Sequence, residues 1–464
     1  MLPEARPLRK GKMKTIAFLG LNEKARPSDG EFISMKNISS EHFPYLAPSY
    51  PRTEQRALTT YSTVDVIDAP DIRIYIDGSN LKYYDIVEEE WVTIGSLGGY
   101  HPNTSMVYFE GISADGLTAH KKLLVFPQRK YVDLSVDQGD WSISNFDETC
   151  PHEITRAVVH KNRVWGITND KTVHASVLGN PIIWNQITFG ETAIDDSWTA
   201  RISQGWAMIS AIVFQGRPTI IMSDRIYQVY GDEPANFSIV EIADFGTYSI
   251  FGPAVHNNHL FIPTQDGVMI FDGTSARNIS TDKLKTTPSG AGVVSGEKYY
   301  ITHSNTLYVY DIKNRIWTSK DFTGTGGIAR LITSIDSSAL FALTNGASAQ
   351  SVPPKLYRLE IESGISTIES EAITGRIYEE ISNKKGYSKL HIRVELQASS
   401  TFKIEVSYDG GSYTTVVTQT TAGYKSIRQK LKLQRCDFFQ LKISGTGRWK
   451  LHEIEREFIV RSDL

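Results

Sequence analysis

The stretch "YYITHSNTLYVYDIKNRIWTS", Tyr299–Ser319, decides the fold. Apolar and aromatic residues run through Tyr299–Ile301 and again through Leu307–Tyr310, separated by the polar turn His303–Asn305. A second turn, Asp311–Arg315, precedes the aromatic start of a further strand at Trp317. Short β-type runs bounded by Asp, Asn, Ser and Gly read as antiparallel strands joined by tight turns. The same order of strand, turn, strand, turn and aromatic restart recurs from Ile74, Leu123, Val164, Thr219, Leu260 and Leu340. With the unit at Tyr299, this makes seven units that start roughly 40 to 55 residues apart, the spacing of propeller blades. A twisted sheet cannot hide both faces alone, and sheets packed radially can bury each face on a neighbour. The expected fold is all-β: a seven-bladed β-propeller over 57–370, with six or eight blades if one unit is wrongly divided.

The units sit in a wider frame. Trp91, Trp141, Trp184 and Trp317 fall at similar places in their units. They read either as fillers of the core between units or as a ring of carbohydrate-stacking side chains. Beyond about Glu371 the period ends, and the alternation lengthens in "KLHIRVELQASSTFKIEVSYDGGSYTTVVTQT" and the stretch that follows. Alternation over long runs implies sheets buried on one face. Residues 371–464, roughly 90 in all, are expected to form a C-terminal antiparallel β-sandwich, with "YDGGSY" as its clearest hairpin turn.

Residues 1–56 read as an N-terminal extended arm with one strand, "KTIAFLG". Within it "FPYLAPSYPR", Phe43–Arg52, concentrates proline and aromatic residues. Pro44, Pro48 and Pro51 oppose helix and supply no N–H to a ladder, and they push the preceding residues into extended geometry. Phe43, Tyr45, Leu46 and Tyr50 would then dock on a groove at low entropic cost, with Arg52 closing the segment. These eight residues are the candidate assembly site. The arm is expected either to clip neighbouring subunits together or to cross its own propeller as a linker.

Composition narrows the function classes. A net charge of −3 argues against a chain-wide polyanion-binding role. Two cysteines, Cys150 and Cys436, exclude a disulfide scaffold and suit a reducing cytosol during synthesis. No apolar run approaches the roughly 18 residues of a membrane span. The basic "RPLRKGKMK" (Arg6–Lys14) leads into too short an apolar run for a signal peptide, so export by the usual route is not expected. "SVDQGDW" (Ser135–Trp141) and "SYDGGSY" (Ser407–Tyr413) resemble the Asp-box turn of sialidases, itself a structural feature, and no set of converging arginines, tyrosine nucleophile and acid accompanies them. His256 and His259 in "VHNNHLF" have metal-ligand spacing and no third ligand nearby in sequence. "KSIRQKLKLQR" (Lys425–Arg435) and "HKKLL" at His120 read as solvated faces or as cationic surfaces for DNA or an acidic partner. No cofactor, no metal and no catalysis are expected.

Two segments resemble a known family. "GEFISMKNISSEHFPYLAPSYPR" (Gly30–Arg52) looks like the opening of a family of bacteriophage virion proteins, which carry F-x-x-M-x-N and then P-x-L-x-P-x-x-P-R ahead of a β-propeller. "RCDFFQLKISGTGRWKLHEIEREF" (Arg435–Phe458) looks like their end, where R-C-D-x-F-x-L and I-x-x-I/L-E/S-R-x-Y/F strands complete a final sandwich. The family includes the tail nozzle, or packaged-DNA stabilisation, proteins of short-tailed phages and similar propellers of long-tailed phage tails. This chain has no counterpart of the long inserted domains that some nozzle proteins carry. The resemblance implies a non-catalytic virion protein of the tail or neck, made in the host cytoplasm. Its partners would be itself, in a cyclic ring of about six copies, other phage tail or neck proteins such as portal and adaptor, and viral DNA in passing contact. The alternative reading is a tail-tip protein that binds a host receptor or polysaccharide.

Overall fold

The structure is a computed structural model that describes residues 11–57, 63–69, 72–85, 87–99, 101, 103–113, 116–190, 192–334, 339–345, 352–362 and 368–460. The described residues are all β apart from one short 3-10 turn, Gln138–Asp140. None of their helices is long and apolar enough to cross a membrane.

Among them are seven four-stranded antiparallel sheets; six are uncrossed meanders of consecutive strands, and the seventh takes its fourth strand from the front of the chain. The second and third strands of each are those read from the sequence units, from Ile72–Asp77 and Asn80–Asp85 in the first sheet to Leu340–Thr344 and Lys355–Leu359 in the seventh. The hairpins follow from turn chemistry. Asn257 (φ 46) and Asn258 (φ 60) are both left-handed between Ala254–His256 and His259–Thr264, as are Lys161 (φ 46) and Asn162 (φ 59) between Ile154–His160 and Arg163–Thr168. Two such residues give the turn whose twist matches antiparallel strands, and asparagine tolerates that region well.

Burial follows the period of two. In Ala119–Phe126, Leu123 and Val125 pack with Ile74 and Ile76 of the first sheet, while Leu124 and Phe126 pack with Ile154 and Val164 of the third. The second sheet thus has two apolar faces and needs a neighbour on each. The pattern repeats along the chain. Ile220 and Met222 meet the third sheet, and Ile221 meets the fifth. Tyr299 and Ile301 meet the fifth sheet, and Tyr300 meets the seventh. Phe341 and Leu343 of the seventh pack with Tyr75 of the first, so the last sheet covers the first. The first strands of consecutive sheets also lie side by side, and Ile328–Thr333 lies beside Thr63–Ala69.

Three of the tryptophans enter these intersheet cores: Trp141 against Tyr83, Trp184 against Phe126, and Trp91 between Tyr75 and Tyr84. They are not at equivalent positions. Trp91 and Trp317 lie on fourth strands, whereas Trp141 and Trp184 lie in the segments before them.

Two further sheets are five-stranded. One holds Lys12–Thr15, Trp449–Val460, Lys385–Leu396 and Gly423–Lys430, with Arg435–Cys436 on its side. The other runs Phe32–Lys36, Ser370–Thr374, Phe439–Thr446, Thr401–Tyr408, Thr414–Gln419. They share a core in which the Tyr387 and Phe439 rings stack at 4.2 Å and Phe402 meets Trp449 at 5.2 Å. The expected boundary at 371 falls just inside Ser370–Thr374.

Residues 1–56 do not form a detached arm among their described part. Lys12–Thr15 and Phe32–Lys36 each supply a strand to a five-stranded sheet, and Thr53–Ala57 is the fourth strand of the seventh four-stranded sheet. Three separate pairings therefore hold the front of the chain to strands about 300 or more residues later, as in Arg358↔Thr53.

Candidate assembly segment

The segment Phe43–Arg52 begins at a tight corner. The Phe43 N–H donates to the Ser40 carbonyl (2.9 Å) and the Tyr45 N–H to the His42 carbonyl (2.8 Å). The chain then runs extended. The Leu46 N–H donates to the Leu451 carbonyl (3.2 Å), and the Leu451 N–H donates back to Leu46 (2.9 Å). Ala47–Pro48 pairs with Ile38–Ser39, with Pro48 opposite Ile38. Proline lacks a donor but keeps its carbonyl, so it is compatible with this two-residue edge pairing.

Side chains tie the segment to its own chain. Leu46 is buried, and Tyr45 lies 4.7 Å from the His452 ring. Arg448 sits 5.5 Å from the Tyr50 ring. Arg52 stacks over Phe322 at 4.0 Å and faces Tyr357 at 5.4 Å, while its Nη1 donates to the Asp321 carbonyl at 2.7 Å. Burial pulls the Arg52 guanidinium below its ordinary value, partly offset by Tyr357 and Asp321. Next to it, Lys320 and Glu360 form a buried ion pair at 2.5 Å, with the Tyr300 hydroxyl donating to Glu360 at 3.1 Å. Burial works to raise Glu360, and Lys320 and Lys298 overcome it and hold the carboxyl below its usual range. Pro51 closes the turn into Thr53–Ala57; its carbonyl accepts from the Ile361 N–H (3.4 Å). Of the eight candidate residues, Phe43, Pro44 and Tyr45 are exposed, Phe43 at 36% and Tyr45 at 38%.

The two segments quoted for the resemblance meet in space. Phe32 and Met35 are buried in the core that also takes Phe439, Leu441, Leu451, Ile454 and Phe458. Asn37, left-handed at φ 55, accepts from the Asp321 N–H at 3.0 Å and donates to the Glu369 carbonyl at 2.9 Å. Sequence reasoning missed the polar centre of this junction. Arg456, fully buried, gives Nη2 to Asp29 (2.8 Å) and Glu379 (3.0 Å) and Nε to the other oxygen of Glu379, whose side chain is likewise without exposure. Its signal was the single arginine inside the otherwise alternating run "EIEREF".

The remaining chemical candidates are separate from this junction. Asp409 accepts from the Asp437 (2.7 Å) and Phe438 (3.0 Å) N–H groups, so the "SYDGGSY" turn anchors a neighbouring loop. In "SVDQGDW" the Trp141 indole N–H donates to the Val136 carbonyl at 3.2 Å. His256 and His259 line an open cavity of about 460 Å³ with Arg277 and Arg315. No group of three metal-ligating side chains occurs among the described residues. Within Lys425–Arg435, Arg428 and Lys430 are exposed on the edge strand Gly423–Lys430. Lys122 of "HKKLL" turns inward to Asp133 at 2.6 Å. Residues 6–10 of the basic start lie outside the described residues, while Lys14 pairs with Asp29 at 3.1 Å. Cys150 and Cys436 are both buried free thiols.

Compared with known proteins, the chain matches no protein-family model and no curated sequence.

Proposed function

We propose that this chain is a non-catalytic structural subunit of a bacteriophage virion. It is a seven-bladed β-propeller joined to a β-sandwich, and it forms a ring in the tail or neck. The propeller reading rests on seven four-stranded antiparallel sheets that each bury both faces on neighbours, the seventh against the first. The sandwich reading rests on the core shared by the two five-stranded sheets.

One observation carries the functional reading. The front and back segments that resemble the phage family are about 400 residues apart in sequence, yet they share one core through Phe32, Met35, Phe439 and Ile454 and exchange backbone hydrogen bonds between Leu46 and Leu451, with Asp29, just ahead of the front segment, paired to Arg456. Two motifs that depend on each other physically are stronger support than two independent short likenesses. In this reading a rigid wheel supplies lateral faces, the junction fixes the sandwich on it, and the exposed Phe43 and Tyr45 rings are offered to a neighbour. Ring closure by identical contacts then follows from rotational symmetry. Portal, adaptor or tail proteins above and below complete the stack, which helps retain and deliver DNA.

The test is a reconstruction of intact particles, with peptide mass spectrometry of the same preparation. The chain should occupy a closed ring in the tail or neck. Purified particles without the chain would overturn the proposal. Deleting residues 1–56 is a poor probe, because it removes strands from three sheets. The paired change Phe43→Ser and Tyr45→Ser leaves those strands intact and should reduce incorporation into particles.

The tail-tip alternative draws on Trp206, 76% exposed, and Phe189, fully exposed, as sugar-stacking or receptor-facing side chains. A glycan array separates the two readings: specific binding lost in Trp206→Ala favours the tip.

A further inference from the structure

Two preformed surface features of opposite charge lie on different sheets. The first is the turn after the third strand of the first sheet. Asp85 holds it, its Oδ1 accepting from the Val87 N–H (2.8 Å) and the Glu88 N–H (3.1 Å), and Glu89 sits in the left-handed region at φ 54. Val87 is 86% exposed. Glu88, Glu89 and Glu90 are exposed and form no ion pair among the described residues. The turn thus presents one apolar side chain beside three exposed carboxylates.

The second feature is a cavity of about 380 Å³ between the third and fourth sheets. Its wall is apolar and aromatic, with Trp165, Ile194, Tyr230 and Phe237, and its charged rim carries Lys161 and Arg217. Lys161 shares its charge with one exposed acid, Asp232, at 2.7 Å, and Arg217 lies over the Tyr230 ring at 4.5 Å with no ion pair among the described residues. The buried Arg163 keeps the wall in place by donating to the Ser176 (2.6 Å) and Asp196 (2.7 Å) carbonyls and to that of Ile194. The lining thus holds three fixed cations and one carboxylate.

Height on the sheets matches as well. In an antiparallel meander the first and third turns open at one end and the second turn at the other. The cavity joins the first turns of the third and fourth sheets (Lys161, Gly216) to the third turn of the fourth (Gly231). The neighbouring sheets share this alignment. Asn162 donates to the Ile112 carbonyl at the first turn of the second sheet (2.5 Å), and Gln128 at its second turn donates to the Gly99 carbonyl beyond the first sheet's last strand (3.5 Å). The acidic turn and the cationic cavity therefore open at the same end.

We propose that the Val87–Glu90 turn of one copy docks in the Lys161–Arg217 cavity of the next, a heterologous contact between copies of this chain. It rests on the ring reading above and supplies its contact. Val87 enters the aromatic wall while the glutamates meet Lys161 and Arg217. Because the contact surfaces differ, each copy has one of each to offer. Repetition of such a contact gives a closed ring where its rotation closes.

The test sizes the full-length chain by multi-angle light scattering across concentration, at about 50 mM and about 500 mM salt. Wild type should self-associate and weaken at high salt. Glu88→Lys with Glu89→Lys should raise the dissociation constant about tenfold or more, as should Lys161→Glu with Arg217→Glu. The chain carrying all four changes should regain association. Unchanged circular dichroism checks that each variant folds. A wild-type chain that stays monomeric at both salts, reversals that leave association unaltered, or a fourfold variant that does not recover would each overturn this contact. Association that survives the reversals refutes the contact alone, whereas absence of the chain from particles refutes the virion reading alone.

Discussion

Replacing Arg456 with methionine tests the junction that joins the two ends of the chain. The arginine sits with no exposure between Asp29 and Glu379, and Glu379 is equally enclosed. Methionine roughly preserves the volume, so the main loss is charge. Asp29 is partly exposed and has Lys14 at 3.1 Å to fall back on. Glu379 has no other cation within ion-pair reach among the described residues and would keep one hydrogen bond, from the Tyr387 hydroxyl at 3.2 Å. Removing one member of a buried pair costs about 3–5 kcal/mol, because the other is left charged in a poor solvent. Replacing both by apolar residues of similar volume is often neutral or stabilising, by about 1–4 kcal/mol. Position 379 is left-handed at φ 57, and glutamate and methionine bear that backbone equally, so the comparison is clean. The expected pattern is therefore non-additive. Arg456→Met should be severely destabilised, and Arg456→Met with Glu379→Met should recover most of the loss, giving a coupling of about 3 kcal/mol. Urea titrations followed by far-ultraviolet circular dichroism and tryptophan fluorescence would measure it. A single change costing under about 1 kcal/mol, or a double change equal to the sum of the two singles, would refute the view that this pair is a buried charge centre.

Other outcomes follow from named contacts. Arg52→Ala should cost about 2–3 kcal/mol in the same titration, from the lost stacking on Phe322 and the charged hydrogen bond to Asp321, with Arg52→Lys intermediate. Stability should fall in acid. Burial opposes ionisation of Glu31, but hydrogen bonds from Lys283, Ser28 and Asn22 outweigh it, and for Asp196 those from Thr188 and Ala193 do the same. Carboxyls held below their ordinary range stabilise the fold above that range and lose the effect as pH drops through their lowered values, so melting temperature should fall steadily between pH 5 and 3 in a scan. Burial pushes the Cys150 thiol up to about 12 and the Cys436 thiol up to about 11. Both should stay unreactive to a thiol reagent at pH 8 in the native chain and react at once in urea. Raised thiols favour the fold below their unfolded value and lose that contribution as pH climbs toward the folded one.

The middle of each four-stranded sheet was legible because its signal is local. Residues such as Leu123–Phe126 alternate between two apolar faces within one strand, and in other sheets steps such as Asp77–Gly78 and Ser304–Asn305 mark where the hairpin turns. Some outer strands carried no such signal. Ala276–Asn278 is exposed throughout, and Ser238–Ala243 has no buried residue, so neither has an apolar period to read. Proline spacing pointed to extended geometry, which the chain takes from Leu46 onward while Phe43–Tyr45 form a corner, and it could not say what the segment lies on, since its partners are Leu451, His452, Phe322 and Tyr357. Contacts across 270 to 400 residues leave no trace in local pattern. Only the likeness of both chain ends to one family hinted that they belong together.

That long-range arrangement has a physical consequence. If the seventh sheet took all its strands from the 328–359 region, the array could complete itself from one continuous stretch. Instead its fourth strand is Thr53–Ala57, ahead of the first sheet in sequence. Opening the array between the seventh and first sheets would then require stripping a strand from its ladder, with loss of the Arg52 anchorage that precedes it. The same segment, running back from Thr53 through Leu46 and Phe32 to Lys12, is stitched into the five-stranded sheets. Force applied between the two parts of the molecule is therefore borne by several ladders loaded together, not by one chain connection alone. Under the proposed role as a ring subunit, a part that must hold its shape gains from that arrangement, and a swivelling two-domain binder would not.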